Sequence, residues 1–178
     1  MTVTFSEHTI ESAPEGSRAA LSATAAKFGF VPSAMARLAE SPSAVAMFGR
    51  MMAVWDATSL SHAEREVVAM TTAGLVGCHV CIALHSAILA GDPATRDLAG
   101  PLGKGGALAD PRLEALRRFA RSVIESRGAA GDDDLARFLA AGYSRAQALE
   151  VVVGVATYTF TAYSNRLTRA AIDAPFRR

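Results

Sequence analysis

The chain has 178 residues, of which 51% are hydrophobic and 20% are charged, and its formal net charge is +1. This composition is typical of one folded domain with a sizeable core, and it excludes a disordered chain. The charges are nearly balanced, with no basic stripe and no acidic tail, so nucleic acid is not an expected partner.

The amino-terminal residues do not resemble a secretory signal, because they lack a basic start and an apolar run. We therefore expect a cytoplasmic protein. The most apolar stretch, residues 151–163, has about 13 residues, whereas a spanning helix needs about 18. We expect this stretch to form a buried helix, without membrane association, and excess apolar surface to lie in a subunit interface.

Capping and breaking residues divide the chain into helices, while strand signals are weak. Residues 1–15 are expected to be loose, as part of a single domain over residues 1–178. Proline at the first helical position after Ser41, Asp92 or Asp110 predicts three helix starts, and capping boxes at Ser61 and Ser144 predict two more. The predicted helices span residues 17–27, 31–40, 42–56, 62–73, 80–90, 93–98, 111–127, 132–140 and 145–172.

Glycines mark the predicted breaks between these helices. Gly74 and Gly77 are expected to turn the chain back, and residues 100–109 form the segment with the most flexible composition. The prediction is an all-α bundle of about seven to nine helices.

The two cysteines stand three residues apart at the start of the helix predicted over residues 80–90. Cys78 and Cys81 share a helix face, so a small movement would close a disulfide. The unpaired N–H groups and positive dipole of a helix start lower a thiol pKa. His85 lies one turn beyond Cys81 and can relay its proton, and His79 can reach the cluster from the helix start. The spacing predicts thiol redox chemistry.

Glu66 is the expected acidic partner of this cluster. It precedes four apolar residues, 67–70, so its carboxylate should be partly buried and partnered. The predicted turn would bring it to face the cysteine helix, where it would orient His85 and accept the thiol proton. The alternative is a structural ion pair near Arg65 or with another subunit.

The run Glu66-x11-Cys78-x-x-Cys81-x3-His85, together with the string GCHVCIALHSAILA around its cysteines, resembles the alkylhydroperoxidase D-like branch of the carboxymuconolactone decarboxylase superfamily. The resemblance extends upstream through FGFVPSAMARLAESPSAV. It implies an all-α bundle of that type and a homo-oligomer, either a trimer or a hexamer, with a dimer as the alternative.

The last predicted helix carries part of the same resemblance, including Tyr163, Asn165 and Arg166. Tyr158, Tyr163 and Asn165 are polar groups in an apolar setting, and we expect them near the redox site or at a subunit interface. One position departs from the pattern, since Val80 stands where the founding members carry a further histidine.

The resemblance implies an oxidoreductase, namely a thiol-dependent peroxidase that reduces hydroperoxides. Cys81 would be the peroxidatic nucleophile, and Cys78 would convert its sulfenic acid into a disulfide. Glu66 and His85 would form the proton relay, with His79 as a further candidate, and a protein dithiol would re-reduce the pair. No cofactor and no metal are expected.

Other functions stay open from the sequence alone. A helical enzyme of the same superfamily would act on a small lactone, and a non-enzymatic redox sensor would change its assembly on oxidation. Cys78, Cys81, His85 and Glu66 also supply four potential zinc ligands. Covalent haem attachment is excluded because residue 82 is isoleucine, not histidine.

Overall fold

The computed structural model describes residues 4–177, and over this range the chain is helical with no strand. Nine α-helices and a final 3-10 turn (Ala174–Phe176) confirm the all-α prediction. The helices are α1 (Glu15–Phe28), α2 (Ser33–Leu38), α3 (Pro42–Asp56), α4 (His62–Val76), α5 (His79–Gly91), α6 (Arg96–Gly103), α7 (Pro111–Glu125), α8 (Asp132–Ala140) and α9 (Arg145–Thr168).

Side-chain caps start the helices where the sequence predicts them. Ser61 and Ser144 each accept an N–H from the third helical residue, whose side chain in turn accepts the cap N–H. Ser41 and Asp110 cap α3 and α7, each followed by proline. These local contacts explain why the starts of α3, α4, α7 and α9 could be predicted.

Two predicted helix boundaries are wrong, namely the break at Gly74 and the helix start directly after Asp92. Gly74 lies inside α4, and Gly77, with φ 75°, ends this helix in the left-handed conformation. Residues 92–95 form a turn, in which Thr95 donates its hydroxyl to the Leu89 carbonyl, and the next helix begins at Arg96. This helix continues through Pro101, because burial of its apolar residues offsets the one backbone hydrogen bond that proline removes.

Helix α4 lies at the centre of the bundle and packs against α5, α6, α7 and α9. Four consecutive apolar residues of this helix, 67–70, are all at most 1% exposed. Because consecutive residues point to different sides of a helix, α4 is buried on several sides. Gly154 of α9 lies against Trp55 and Val68, and a side chain there would collide with both. The close crossing of α9 over α3 and α4 therefore depends on this glycine.

Residues 4–14 precede the first helix and are attached to α2. The His8 N–H donates to the Ala36 carbonyl, and the Ser33 hydroxyl and Arg37 guanidinium donate to Glu7. Residues 1–3, which belong to the segment expected to be loose, lie outside the described residues. Within residues 4–177, no helix is long and apolar enough to cross a membrane.

Candidate active site

The turn between α4 and α5 positions the cysteines. Cys78 is the N-cap residue of α5, directly after Gly77. Arg166 of α9 holds this turn by donating to the Val76 and Gly77 carbonyls, at 2.6 and 2.8 Å. A Cβ at Gly77 would lie 2.6 Å from the Arg166 Nη1 atom, so glycine is required here both for its positive φ and for this contact.

The two thiols share a hydrogen bond in a buried setting. Their Sγ atoms are 2.7 Å apart, and Cys78 and Cys81 are 1% and 3% exposed. The Cys81 backbone N–H donates to the Cys78 Sγ at 3.3 Å, as expected for an N-cap side chain. Both cysteines are free thiols.

Hydrogen bonds distribute the charge unequally between these sulfurs. The pKa of Cys78 is lowered to about 6, first because the Cys81 thiol can donate to it, and further because the Cys81 N–H does. The pKa of Cys81 is raised, by its hydrogen bond with Cys78 and by burial. The resting charge therefore lies on Cys78, which is not the sulfur that the resemblance makes the nucleophile.

Asn165 completes the environment of the thiols from the far end of the chain. Its Nδ2 donates to Cys81 Sγ at 3.4 Å and to Cys78 Sγ at 3.8 Å, and the residue is 6% exposed. This amide lowers the pKa of both thiols. The sequence led us to expect Asn165 near the redox site or at a subunit interface, and the structure places its amide at the two sulfurs.

The second half of the site is a buried carboxylate–imidazole pair. His85 Nδ1 donates to Glu66 Oε2 at 2.8 Å, and the two residues are 8% and 6% exposed. Because Nδ1 carries the proton that it donates to Glu66, Nε2 is the nitrogen that can exchange a proton. The Tyr158 ring packs edge-on against the imidazole at 5.1 Å, and its own pKa is raised by burial and by the Glu66 charge.

The structure thus brings the predicted residues together as two pairs: Cys78 with Cys81 at the start of α5, and His85 of α5 with Glu66 of α4. Among residues 4–177, His85 has no direct hydrogen bond to either sulfur, although it lies one helical turn after Cys81. His79 is exposed, and its charge helps to lower the pKa of Cys78. Within the same range no group of three or more His, Cys, Asp or Glu residues is placed to hold a metal ion.

Residues 42–101 match the carboxymuconolactone decarboxylase family, and this segment contains Glu66, both cysteines and His85. A comparison with curated proteins finds no significant match.

Several solved structures share the fold over nearly the whole chain. The alkylhydroperoxidase AhpD core, a peroxidase-related protein from Ralstonia eutropha JMP134, has a TM-score of 0.86 at 20% identity, covering 97% of this chain and 93% of that one. A peroxidase-related protein from Silicibacter sp. TM1040 has a TM-score of 0.81 at 17% identity, covering 99% and 97%. The debrominase Bmp8 in complex with 2,3,4-tribromopyrrole has a TM-score of 0.80 at 18% identity, covering 98% and 94%.

At these identities the structural likeness establishes the fold and not the activity. The chain is therefore similar to the carboxymuconolactone decarboxylase family over residues 42–101, and it shares its fold with two peroxidase-related proteins.

Proposed function

We propose that this protein is a thiol-dependent peroxidase that reduces hydroperoxides with Cys78 and Cys81. The observation that carries the proposal is the buried thiol pair itself, with one sulfur already charged near neutral pH. A structural pair of cysteines does not need a hydrogen-bond donor aimed at both sulfurs, whereas a nucleophilic thiolate is stabilised by one.

The first step is attack of Cys81 on the terminal oxygen of the hydroperoxide. Cys78 accepts the Cys81 proton across the 2.7 Å contact between the sulfurs, so the charge moves to the attacking sulfur. The O–O bond breaks, Cys81 becomes a sulfenic acid, and the alkoxide leaves. Nε2 of His85, which Glu66 orients, holds the proton that the Cys78 thiol has given up, and this proton passes to the alkoxide to form the alcohol, directly or through one water.

The second step forms a disulfide between Cys78 and Cys81 without a further oxidant. Cys78 attacks the Cys81 sulfenic acid, and a water molecule leaves as the S–S bond forms. A protein dithiol then reduces this disulfide by thiol exchange, which returns both electrons to the pair. We place this cycle in the cytoplasm, where reducing systems keep such pairs available.

Burial of both sulfurs limits the substrates that can react. With exposures of 1% and 3%, the thiols offer very little surface to a substrate. Hydrogen peroxide should therefore react faster than cumene hydroperoxide. A bulky substrate turned over equally well would contradict this steric argument.

The test is dithiol-driven hydroperoxide turnover in the purified protein and its variants. Cys81→Ser and Cys78→Ser should each lose turnover, and His85→Gln should lower it by about 10²-fold or more, the usual contribution of general acid–base catalysis. His62→Gln, an exposed histidine in α4, is the matched control and should retain full turnover. Full turnover in Cys81→Ser would refute the proposal.

Trapping of the sulfenic acid separates the roles of the two sulfurs. After one equivalent of peroxide, Cys78→Ser should carry a dimedone adduct on Cys81, because no resolving thiol is present. A faster adduct on Cys78 in the Cys81→Ser variant would reverse the roles, in line with the resting charge on Cys78.

Reductive debromination is the second candidate, because the fold is shared with a debrominase bound to 2,3,4-tribromopyrrole. It would draw its two electrons from the same thiol pair and release bromide. Bromide release from 2,3,4-tribromopyrrole, measured with the same dithiol donor, would favour this activity if it exceeds peroxide turnover. Activity that survives thiol alkylation would instead favour the lactone enzyme.

A homo-oligomer belongs to this proposal, and the outer face of α9 supports it. Leu149, Val152, Tyr163 and Leu167 are between 46% and 71% exposed, and their spacing places them on one side of the helix. An uncharged stripe of this length, about 27 Å at 1.5 Å per residue, is typical of a subunit interface. Leu167→Arg should therefore reduce the mass measured by light scattering, and an unchanged mass would exclude this face.

A further inference from the structure

A cavity lies on the side of α4 that faces α6 and α7, and the mechanism above does not use it. Its volume is about 290 Å³, close to the lower range of small-molecule sites. The apolar part of its wall comes from Leu75, Ile82 and Leu102, together with neighbouring residues of α4. An apolar body of several carbon atoms fits such a wall.

Three cations line the same cavity, and among the described residues no carboxylate does. They are Lys104 at the end of α6 and Arg117 and Arg121 on α7. Arg117 is bound by Glu114 and Arg121 by Glu125, but neither carboxylate belongs to the cavity wall. Lys104 makes no ion pair within residues 4–177. The wall of the cavity therefore combines three cationic side chains with apolar ones.

The Arg117 side chain is fixed before any ligand arrives. Glu114 accepts two hydrogen bonds from Arg117, at 2.7 and 2.8 Å, and this pairing lowers the pKa of Glu114 to about 2. The Arg117 side chain is 13% exposed, so it is held in one position at the wall. A fixed guanidinium loses little conformational freedom when it binds an anion.

We propose that this cavity binds a small organic anion with an apolar body, such as a medium-chain carboxylate. The carboxylate would lie between Lys104 and Arg121, and the chain would lie against Ile82 and Leu102. This site goes beyond the proposed peroxidase activity and does not depend on it. Ile82 links the two regions, because it packs against both the main core and the Cys78–Cys81 cluster.

Calorimetric titration with octanoate, with octan-1-ol as the neutral match, tests the proposal at low salt. Octanoate should bind saturably, and octan-1-ol should bind at least about tenfold more weakly if the cations contribute. Lys104→Gln and Arg121→Gln should each weaken octanoate binding about two- to fivefold, as expected for exposed charges. Equal binding of the alcohol, or no saturable binding of either probe, would overturn the proposal.

Two variants localise the binding. Gly74 lines the cavity, and a Cβ built there meets nothing within 4 Å, so Gly74→Leu should fill the space without disturbing the fold and abolish octanoate binding. Arg118→Gln alters an exposed arginine on α7 outside the cavity wall and should leave the affinity unchanged. Undiminished binding in Gly74→Leu would exclude this cavity. The titration repeated in Cys78→Ser keeps this result separate from the fate of the peroxidase proposal.

Discussion

Removal of the Asn165 amide should raise the pKa of Cys78 without unfolding the protein. In Asn165→Leu the side chain keeps its approximate volume but loses the Nδ2 donor. In the unaltered protein this atom lies 3.4 Å from Cys81 Sγ and 3.8 Å from Cys78 Sγ. A hydrogen bond to a charged group contributes about 1.5–3 kcal/mol, and these contacts are long, so the lower end applies. Since about 1.4 kcal/mol corresponds to one pKa unit, the pKa should rise from about 6 to about 7.

Thiolate absorbance at 240 nm, titrated against pH, measures this shift in the reduced protein. The matched control is Tyr163→Phe, which changes an exposed residue two positions away on the same helix and should leave the midpoint in place. Circular dichroism would show that both variants retain their helices. A midpoint that stays near 6 in a folded Asn165→Leu variant would refute the view that this amide stabilises the thiolate.

Two further predictions concern stability. The folded protein loses its first thiol proton at about pH 6, whereas the unfolded chain holds both thiol protons up to about pH 8.5, so the free energy of unfolding should rise between these values by roughly 3 kcal/mol. This gain is lost as the pH falls through 6, and it declines again above 8.5, because the raised pKa of Cys81 keeps its proton bound in the folded state. Urea unfolding against pH measures the effect, and the double variant Cys78→Ser, Cys81→Ser should lose this rise. An equal slope in that variant would contradict the assignment. Gly154→Ala should destabilise the protein by about 1–3 kcal/mol through overlap with the Trp55 ring, whereas Gly49→Ala, where nothing lies within 4 Å, should stabilise its helix by about 0.5–1 kcal/mol. Thermal unfolding of both variants decides this point, and a stable Gly154→Ala would mean that α9 can move away from α3.

The parts of the fold that were predictable from the sequence are those set by neighbouring residues. Caps such as Ser61 and Ser144 begin helices through contacts within four positions. The pairing of Glu66 with His85 follows from helical spacing on either side of one turn. The start of α6 was missed because the Asp92–Pro93 pair forms a turn instead of a cap, and only burial shows the difference.

The charge distribution at the site depends on contacts that the sequence does not specify. Asn165 is separated from Cys81 and Cys78 by 84 and 87 positions, so its role follows only from the docking of α9 against α5. Equally, spacing places two cysteines on one face without deciding which of them carries the negative charge. That difference depends first on the contact between the two sulfurs, and further on the Cys81 N–H, which points toward Cys78.

Two adjacent residues at the end of α9 support the thiol pair in different ways. Asn165 contacts the sulfurs, while Arg166 holds the carbonyls of the turn before Cys78. If this end of α9 detached, the pair would lose both supports together, and the pKa of Cys78 would rise because the Asn165 amide no longer donates to its sulfur. The rate of cysteine alkylation at neutral pH is therefore a built-in reporter of whether the carboxy-terminal helix is docked.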